Sequence, residues 1–124
     1  LAILARMRGA SPCTAIDIDE WCVRNSLENI ELNGVDNIAV SQGDASSLES
    51  KGPFDMVIAN INRNILTMDM PAYAEALDTG GDLLMSGFLE EDVPVIEARA
   101  RACGLEPVEV RRRDGWAMVH VKKA

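Results

Sequence analysis

The stretch Phe54-Asp55-Met56-Val57-Ile58-Ala59-Asn60-Ile61-Asn62 decides how this chain reads. Phe54 to Ala59 is a near-continuous apolar run, the composition of a strand buried on both faces of a parallel sheet. Gly52-Pro53 marks the turn that leads into it. Beyond it the apolar period lengthens. Ile65, Met68, Ala72 and Ala76 make a helical stripe, and Pro71 is expected to kink that helix or divide it in two. A polar amide, Asn60, therefore closes a buried strand just ahead of a helix.

The same alternation extends in both directions. Upstream, Thr14 to Asp17 reads as a strand, and Asp19 can cap a helix whose apolar positions are Val23, Leu27 and Ile30. Gly34 stops that helix just past Asn33, Ile38 to Ser41 forms the next strand, and Gly43-Asp44 breaks it. Downstream, Gly80-Gly81 turns into a strand from Leu83 to Ser86. Val93, Ile96, Ala100 and Cys103 then give a helix closed by Gly104. The last section differs: Leu105 to Arg112 and Trp116 to Lys122 are strand-like and flank Asp114-Gly115, a strong hairpin signal. Strand and helix in alternation predict an α/β fold, a doubly wound and mostly parallel sheet with one antiparallel edge strand. Ligands in such sheets sit beyond the carboxyl ends of the strands.

Composition narrows the class. The 124 residues suit one domain, and 48% apolar content is enough for a core. No apolar run approaches the ~18 residues of a membrane span and no charged-then-apolar leader is present, so a cytoplasmic protein is expected. Cys13, Cys22 and Cys103 are odd in number and widely spaced, which gives neither a disulfide framework nor metal-ligand spacing; no metal is expected. A net charge of -8 argues against broad affinity for a nucleic-acid backbone and suits a basic protein partner. Leu1, Leu4 and Ala5 are already at helical spacing with no cap ahead of them, and Gly9 follows as a stop. That pattern is expected of a chain lacking its upstream part.

Four predicted strand ends are polar or glycine-rich: Asp17, Gly43-Asp44-Ala45, Asn60-Ile61-Asn62 and Ser86-Gly87. A strand-end acid can accept both hydroxyls of a ribose, which suits Asp17; a solvated loop acid fits it too. Asp44 with the Ala45 N–H can address the edge of an adenine, and an ordinary turn is the alternative. The Asn60 oxygen can accept from a donor amine and orient it. Capping the next helix is its other use, although Asn62 or Asn64 can do that equally well.

In order and spacing, Ala15-Ile16-Asp17-Ile18-Asp19, Gly43-Asp44-Ala45, Asp55 to Asn62 and Gly80-Gly81-Asp82-Leu83-Leu84-Met85-Ser86-Gly87-Phe88 resemble the class I S-adenosylmethionine-dependent methyltransferases. More narrowly, Ala59-Asn60-Ile61, Leu84-Met85-Ser86-Gly87 and the closing hairpin with Trp116 near its turn are similar to the methyltransferase family of the stalk-base protein, the eleventh of the large ribosomal subunit. The resemblance implies a Rossmann-like sheet with S-adenosylmethionine as cofactor, residues 1–124 being a C-terminal catalytic domain truncated at its N-terminus. It implies that Asp17 holds the ribose, Ile18 packs on the adenine, Asp44 and Ala45 address its edge, and Asn60 orients the acceptor nitrogen. Related enzymes often carry Asn-Pro-Pro-Tyr where this chain has Asn60-Ile61-Asn62-Arg63, a departure that speaks against a nucleic-acid adenine or glutamine acceptor.

The implied reaction is methyl transfer to an amine, a lysine side chain or an N-terminus, of a ribosomal large-subunit protein. Neither a membrane nor a nucleic acid outside the ribosome is expected as partner. Methylation of RNA or a small molecule, or an NAD-binding Rossmann domain, are the alternatives. The family's first strand and glycine-rich loop belong before Leu1 and are missing, so no residue is assigned to the methionine end of the cofactor. Without that strand, two half-sheets with unpaired inner edges are expected. His120, the sole histidine, is expected on an edge strand at the surface or in hairpin packing. Arg111, Arg112 and Arg113 read as edge-strand charge, with contact to ribosomal RNA as the alternative. Met68, Met70 and Met85 are expected in the core.

Overall fold

The computed structural model describes residues 13–17, 20–34, 38–42 and 53–124. In chain order the elements are β1 (Cys13–Asp17), α1 (Glu20–Leu32), β2 (Ile38–Gln42), β3 (Phe54–Asn60), α2 (Arg63–Ala76), β4 (Leu77–Leu89), α3 (Val93–Ala102), β5 (Leu105–Arg113) and β6 (Trp116–Lys123). A single 3-10 turn, Glu90–Asp92, leads into α3. This is the α/β alternation expected. The predicted leading helix, the Asp19 cap and the Gly43-Asp44 break lie outside the described residues. No described helix is long and apolar enough to cross a membrane. Contacts group the chain into two compact units, residues 1–47 and 48–124.

In the first unit β1 and β2 pair in parallel, from Cys13 opposite Ile38 to Asp17 opposite Gln42. A parallel pair cannot be closed by a tight turn, and α1 supplies the crossover. Val23, Ser26 and Ile30 are its half-buried positions, whereas Leu27 is exposed, so the inward stripe runs one position to the side of the expected one. Gly34, at φ +62°, ends the helix where predicted, its N–H donating to Glu31 O.

In the second unit the strand order is β3-β4-β6-β5. The described strands thus form two sheets, the division expected above. β3 and β4 run parallel, with Asn60 opposite Ser86, and β6 lies antiparallel between β4 and β5. One face of this sheet carries the core. Leu83, Met85, Val119 and Val121 are fully buried, as are Leu66 and Met70 of α2 and Ile96 and Ala100 of α3. Each large side chain withdrawn from water here contributes roughly 1.5–3 kcal/mol.

Five further expectations need correction. Met56 and Ile58 are exposed, so the Phe54–Ala59 run is not buried on both faces. A strand alternates: Val57 and Ala59 are in register with buried Leu83 and Met85, while Met56 and Ile58 are in register with Asp82 and half-buried Leu84 on the other face. Second, β6 has a partner on each side, which makes β5 the edge strand and places His120 inside the sheet. Third, Gly80-Gly81 is not a turn between elements but part of a long β4. Phe54 pairs with Leu77 and Met56 already with Asp82, so the intervening residues bulge, with Gly80 at φ +81°. Fourth, α2 buries Leu66, Met70, Tyr73, Ala74 and Ala76, one phase away from the expected stripe; Met68 is 69% exposed and is not core.

The fifth concerns only the division expected at Pro71 as the alternative to a kink: α2 runs as one helix with Pro71 inside it. Proline has no N–H, so it leaves the Thr67 carbonyl, four residues earlier, without its helical donor. Arg99 of α3 replaces it: its Nε donates to Thr67 O at 3.0 Å. The neighbouring helix thereby satisfies the group that proline orphans.

The closing hairpin matches its prediction. Asp114 (φ 53°) and Gly115 (φ 83°) both take positive φ, the requirement of a two-residue turn between paired Arg113 and Trp116. The tip is tied down twice: Glu90 N donates to Gly115 O at 2.8 Å, and Arg112 Nε pairs with Glu90 Oε1 at 3.3 Å.

Candidate functional site

Three local devices meet at the carboxyl end of β3. The first is the cap of α2. Asn62 occupies the N-cap position and its Oδ1 accepts from Ile65 N at 3.1 Å. That leaves Asn60 without a capping duty, as its spacing suggested. The second is the parallel register, which sets Asn60 opposite Ser86 and continues in the bond from Ile61 N to Ser86 O, 3.0 Å.

The third is a bulge in β4. Between Met85 and Phe88 the strand advances three residues, while its β6 partners, Val119 and Ala117, advance two. The bulge holds Gly87 at φ +91°, a conformation that L side chains rarely adopt. A Cβ there would stand 2.6 Å from Asn60 Oδ1 and 3.0 Å from both the N and O of Ile61. Glycine is required twice over, by the backbone angle and by the amide above it. Ser86 Oγ donates to Asn60 Oδ1 at 3.3 Å, so the side-chain oxygen of Asn60 is flanked by a hydroxyl and a bare backbone.

These residues floor a cleft of about 810 Å³. The hairpin forms its far wall, with Arg111, Arg113 and Trp116 beside Asn60, Ser86 and Gly87. No carboxylate or histidine is among its described lining residues, and Arg112 adds a third guanidinium. A smaller cleft of about 400 Å³ shares Asn62, Gly87 and Trp116 with it. There Arg63 pairs with Asp92 at 3.0 Å, and the other Asp92 oxygen accepts from Leu89 N at 3.2 Å. Among the described residues no group of histidine, cysteine, aspartate or glutamate is arranged to hold a metal.

Of the predicted site residues, Asn60 lies in this cleft. Asp17 is the last residue of β1, at the strand end expected of it, in the other unit. Ile18, Asp44 and Ala45 lie outside the described residues. His120 is away from the cleft, bonded through Nε2 to Asp82 Oδ1 at 2.7 Å. The three arginines, read from sequence as edge-strand charge, line the cleft together with Trp116. Counting back from the Asp114-Gly115 turn pairs Trp116 with Arg113, but only the β4–β6 register brings that pair to Gly87.

Residues 1–124 match the family described as ribosomal protein L11 methyltransferase (PrmA). The ribosomal protein L11 methyltransferase of Bacteroides fragilis is 65% identical over 119 residues, which are 96% of this chain and 42% of that protein. The chain thus spans less than half the length of this relative. The crystal structure of ribosomal protein L11 methylase from Lactobacillus delbrueckii subsp. bulgaricus superposes with a TM-score of 0.90 at 27% identity, covering 99% of this chain and 64% of that one. The structure of M. jannaschii TYW2 in complex with AdoMet shares the fold, with a TM-score of 0.73 at 21% identity over 96% of this chain and 60% of that one.

Proposed function

The chain belongs to the ribosomal protein L11 methyltransferase family, and from that membership we propose that it serves S-adenosylmethionine-dependent methyl transfer to an amine nitrogen, a lysine side chain or an N-terminal amine, of a ribosomal large-subunit protein in the cytoplasm. One observation carries the amine reading: the Asn60 side-chain oxygen is held on the cleft floor by Ser86 and Gly87.

The residues present fit a methyl donor at this place. The cleft is of small-molecule size, and the absence of a side chain at Gly87 gives the Asn60 carboxamide room at its edge. S-adenosylmethionine supplies a methyl group on an electron-poor sulfonium, which needs alignment more than activation. On the nucleoside side we assign Asp17 to the ribose hydroxyls, Ile18 to the adenine face, and Asp44 with Ala45 to the adenine edge.

Asn60 takes the central role. An amine attacks through its lone pair, so its N–H groups need acceptors that turn the lone pair toward the methyl group. The Asn60 oxygen has two lone pairs, and Ser86 occupies one. The incoming amine must be neutral, and a free lysine titrates near ~10.4. Entering a partly dry site beside a sulfonium cation lowers that value. With no histidine or carboxylate among the described lining residues, the proton leaves to water rather than to a side chain.

The test uses the full-length protein that contains this chain. Isothermal calorimetry with S-adenosylhomocysteine should give binding tighter than millimolar. Mass spectrometry of ribosomal proteins incubated with protein and methyl donor should find the added mass on amine nitrogens. Methylation of RNA alone, or no binding of S-adenosylhomocysteine, would overturn the reading.

A further inference from the structure

We infer that Ser86 is a positioning residue: its hydroxyl anchors the Asn60 carboxamide through the side-chain oxygen that orients the acceptor amine. The inference rests on the role proposed for Asn60. The terminal torsion of an asparagine is broad and roughly two-fold, and its two ends have nearly the same shape but opposite chemistry. A half-turn would replace an oxygen that accepts with an –NH₂ that donates, and an amine whose N–H groups meet donors is turned the wrong way. On an exposed strand end, packing alone does not choose between the two, and Asn60 is exposed.

Two features of β4 anchor the carboxamide as observed. Gly87 removes the side chain that would otherwise fill the space 2.6 Å from Oδ1, so the carboxamide can lie over bare backbone. Ser86 then donates to that same oxygen at 3.3 Å. The hydroxyl takes one lone pair and leaves the other for substrate. Its own backbone is pinned by strand pairing and by the Ile61 N–H on its carbonyl. The donor is therefore carried on a rigid element, while the group it steers is free to rotate. The β3–β4 register sets Ser86 opposite Asn60, and Gly87 lies in the bulge between Met85 and Phe88.

The experiment is a double-mutant cycle on Asn60 and Ser86 in the full-length protein, with kcat and KM for the protein substrate and calorimetry with S-adenosylhomocysteine. Asn60→Ala should cost most of the activity. Ser86→Ala should lower kcat by roughly five- to tenfold, the range of one hydrogen bond read as a rate, with affinity for S-adenosylhomocysteine unchanged. Ser86→Thr, which keeps the hydroxyl, should restore it. Asn60→Ala with Ser86→Ala should be no slower than Asn60→Ala alone. If Asn60→Ala is slow but Ser86→Ala is normal, or the two losses multiply, Ser86 does not act through Asn60 and this inference fails while the role of Asn60 stands. If Asn60→Ala is fully active, the Asn60 reading itself falls and this one with it. Should Ser86→Ala fold poorly, Ser86→Cys, near-isosteric with a weak donor, takes its place with the same outcomes.

Discussion

The Cβ that Gly87 lacks would stand 2.6 Å from the side-chain oxygen of Asn60. A glycine and an amide 27 positions apart in sequence numbering (87 − 60) thus share one space, and neither can change without the other. Gly87→Ala adds that Cβ and strains φ +91°. Strain of this kind costs about 1–3 kcal/mol. We expect at least a tenfold loss of kcat, with a thermal melt lowered by several degrees. Wild-type turnover in Gly87→Ala would show that Asn60 does not need its observed position.

Trp116 is 56% exposed and stands on the wall of both clefts. Its ring is positioned by a turn clamped through Glu90 N to Gly115 O. A large exposed aromatic beside a cleft is a usual anchor for a polypeptide partner. On the function proposed above, Trp116→Ala in the full-length protein is expected to raise KM for the protein substrate by about tenfold and to leave affinity for S-adenosylhomocysteine alone. Steady-state kinetics at varied protein substrate tests this, and an unchanged KM would remove Trp116 from substrate binding.

Arg99 and Pro71 should be energetically linked. Arg99→Ala leaves the Thr67 carbonyl without a donor, at a cost of roughly 1–2 kcal/mol. In a Pro71→Ala background the helix recovers its own N–H for that carbonyl, and Arg99→Ala should then cost clearly less. Urea melts of the four proteins measure the difference; equal costs in both backgrounds would mean that Arg99 acts elsewhere.

Asp82 accepts from His120 at 2.7 Å and from Lys122 at 3.2 Å, and the His120 bond is the leading cause that holds its carboxyl below the usual carboxylate range. A lowered folded pKa stabilises the fold above the unfolded value of ~3.9. That contribution is lost as pH falls through the lower folded value. Because the group is open to solvent, the effect should stay below about 1 kcal/mol. Asp82→Asn should melt slightly earlier than wild type at pH 7, and the gap should close as pH falls below the unfolded value of ~3.9. A gap that widens on acidification would contradict the sign.

Tyr73, the one tyrosine of the chain, is buried, and desolvation, with Asp69 adding to it, pushes its hydroxyl up to about 12. Phenolate absorbance should therefore rise near pH 12 rather than near ~10. Since the raised value stabilises the fold below ~10, that support is lost as pH climbs toward 12. A midpoint near 10 in the folded protein would place Tyr73 at the surface.

Much of this was legible in the residues alone. The alternation of strand and helix, the Gly34 and Gly104 stops, the Asp114-Gly115 turn and the polar strand end at Asn60 all depend on contiguous residues. Local hydrogen bonding and φ preference decide such features within a few positions, so a linear reading finds them. The spare status of Asn60 was also readable, since Asn62 stands at capping distance from Ile65.

What the tertiary structure decided is different in kind. Whether α2 turns Met68 or Met70 inward depends on the face that α3 and the sheet present to it. That β6 lies inside the sheet, that Met56 and Ile58 are exposed, and that Trp116 and the arginines reach the cleft all follow from pairing between segments distant in sequence. Pro71 reads as a break because its missing N–H is a local fact; the Arg99 side chain that answers it comes from another helix. Period and turn type are properties of neighbouring residues, whereas phase, register and the partner of an orphaned carbonyl exist only once distant segments meet.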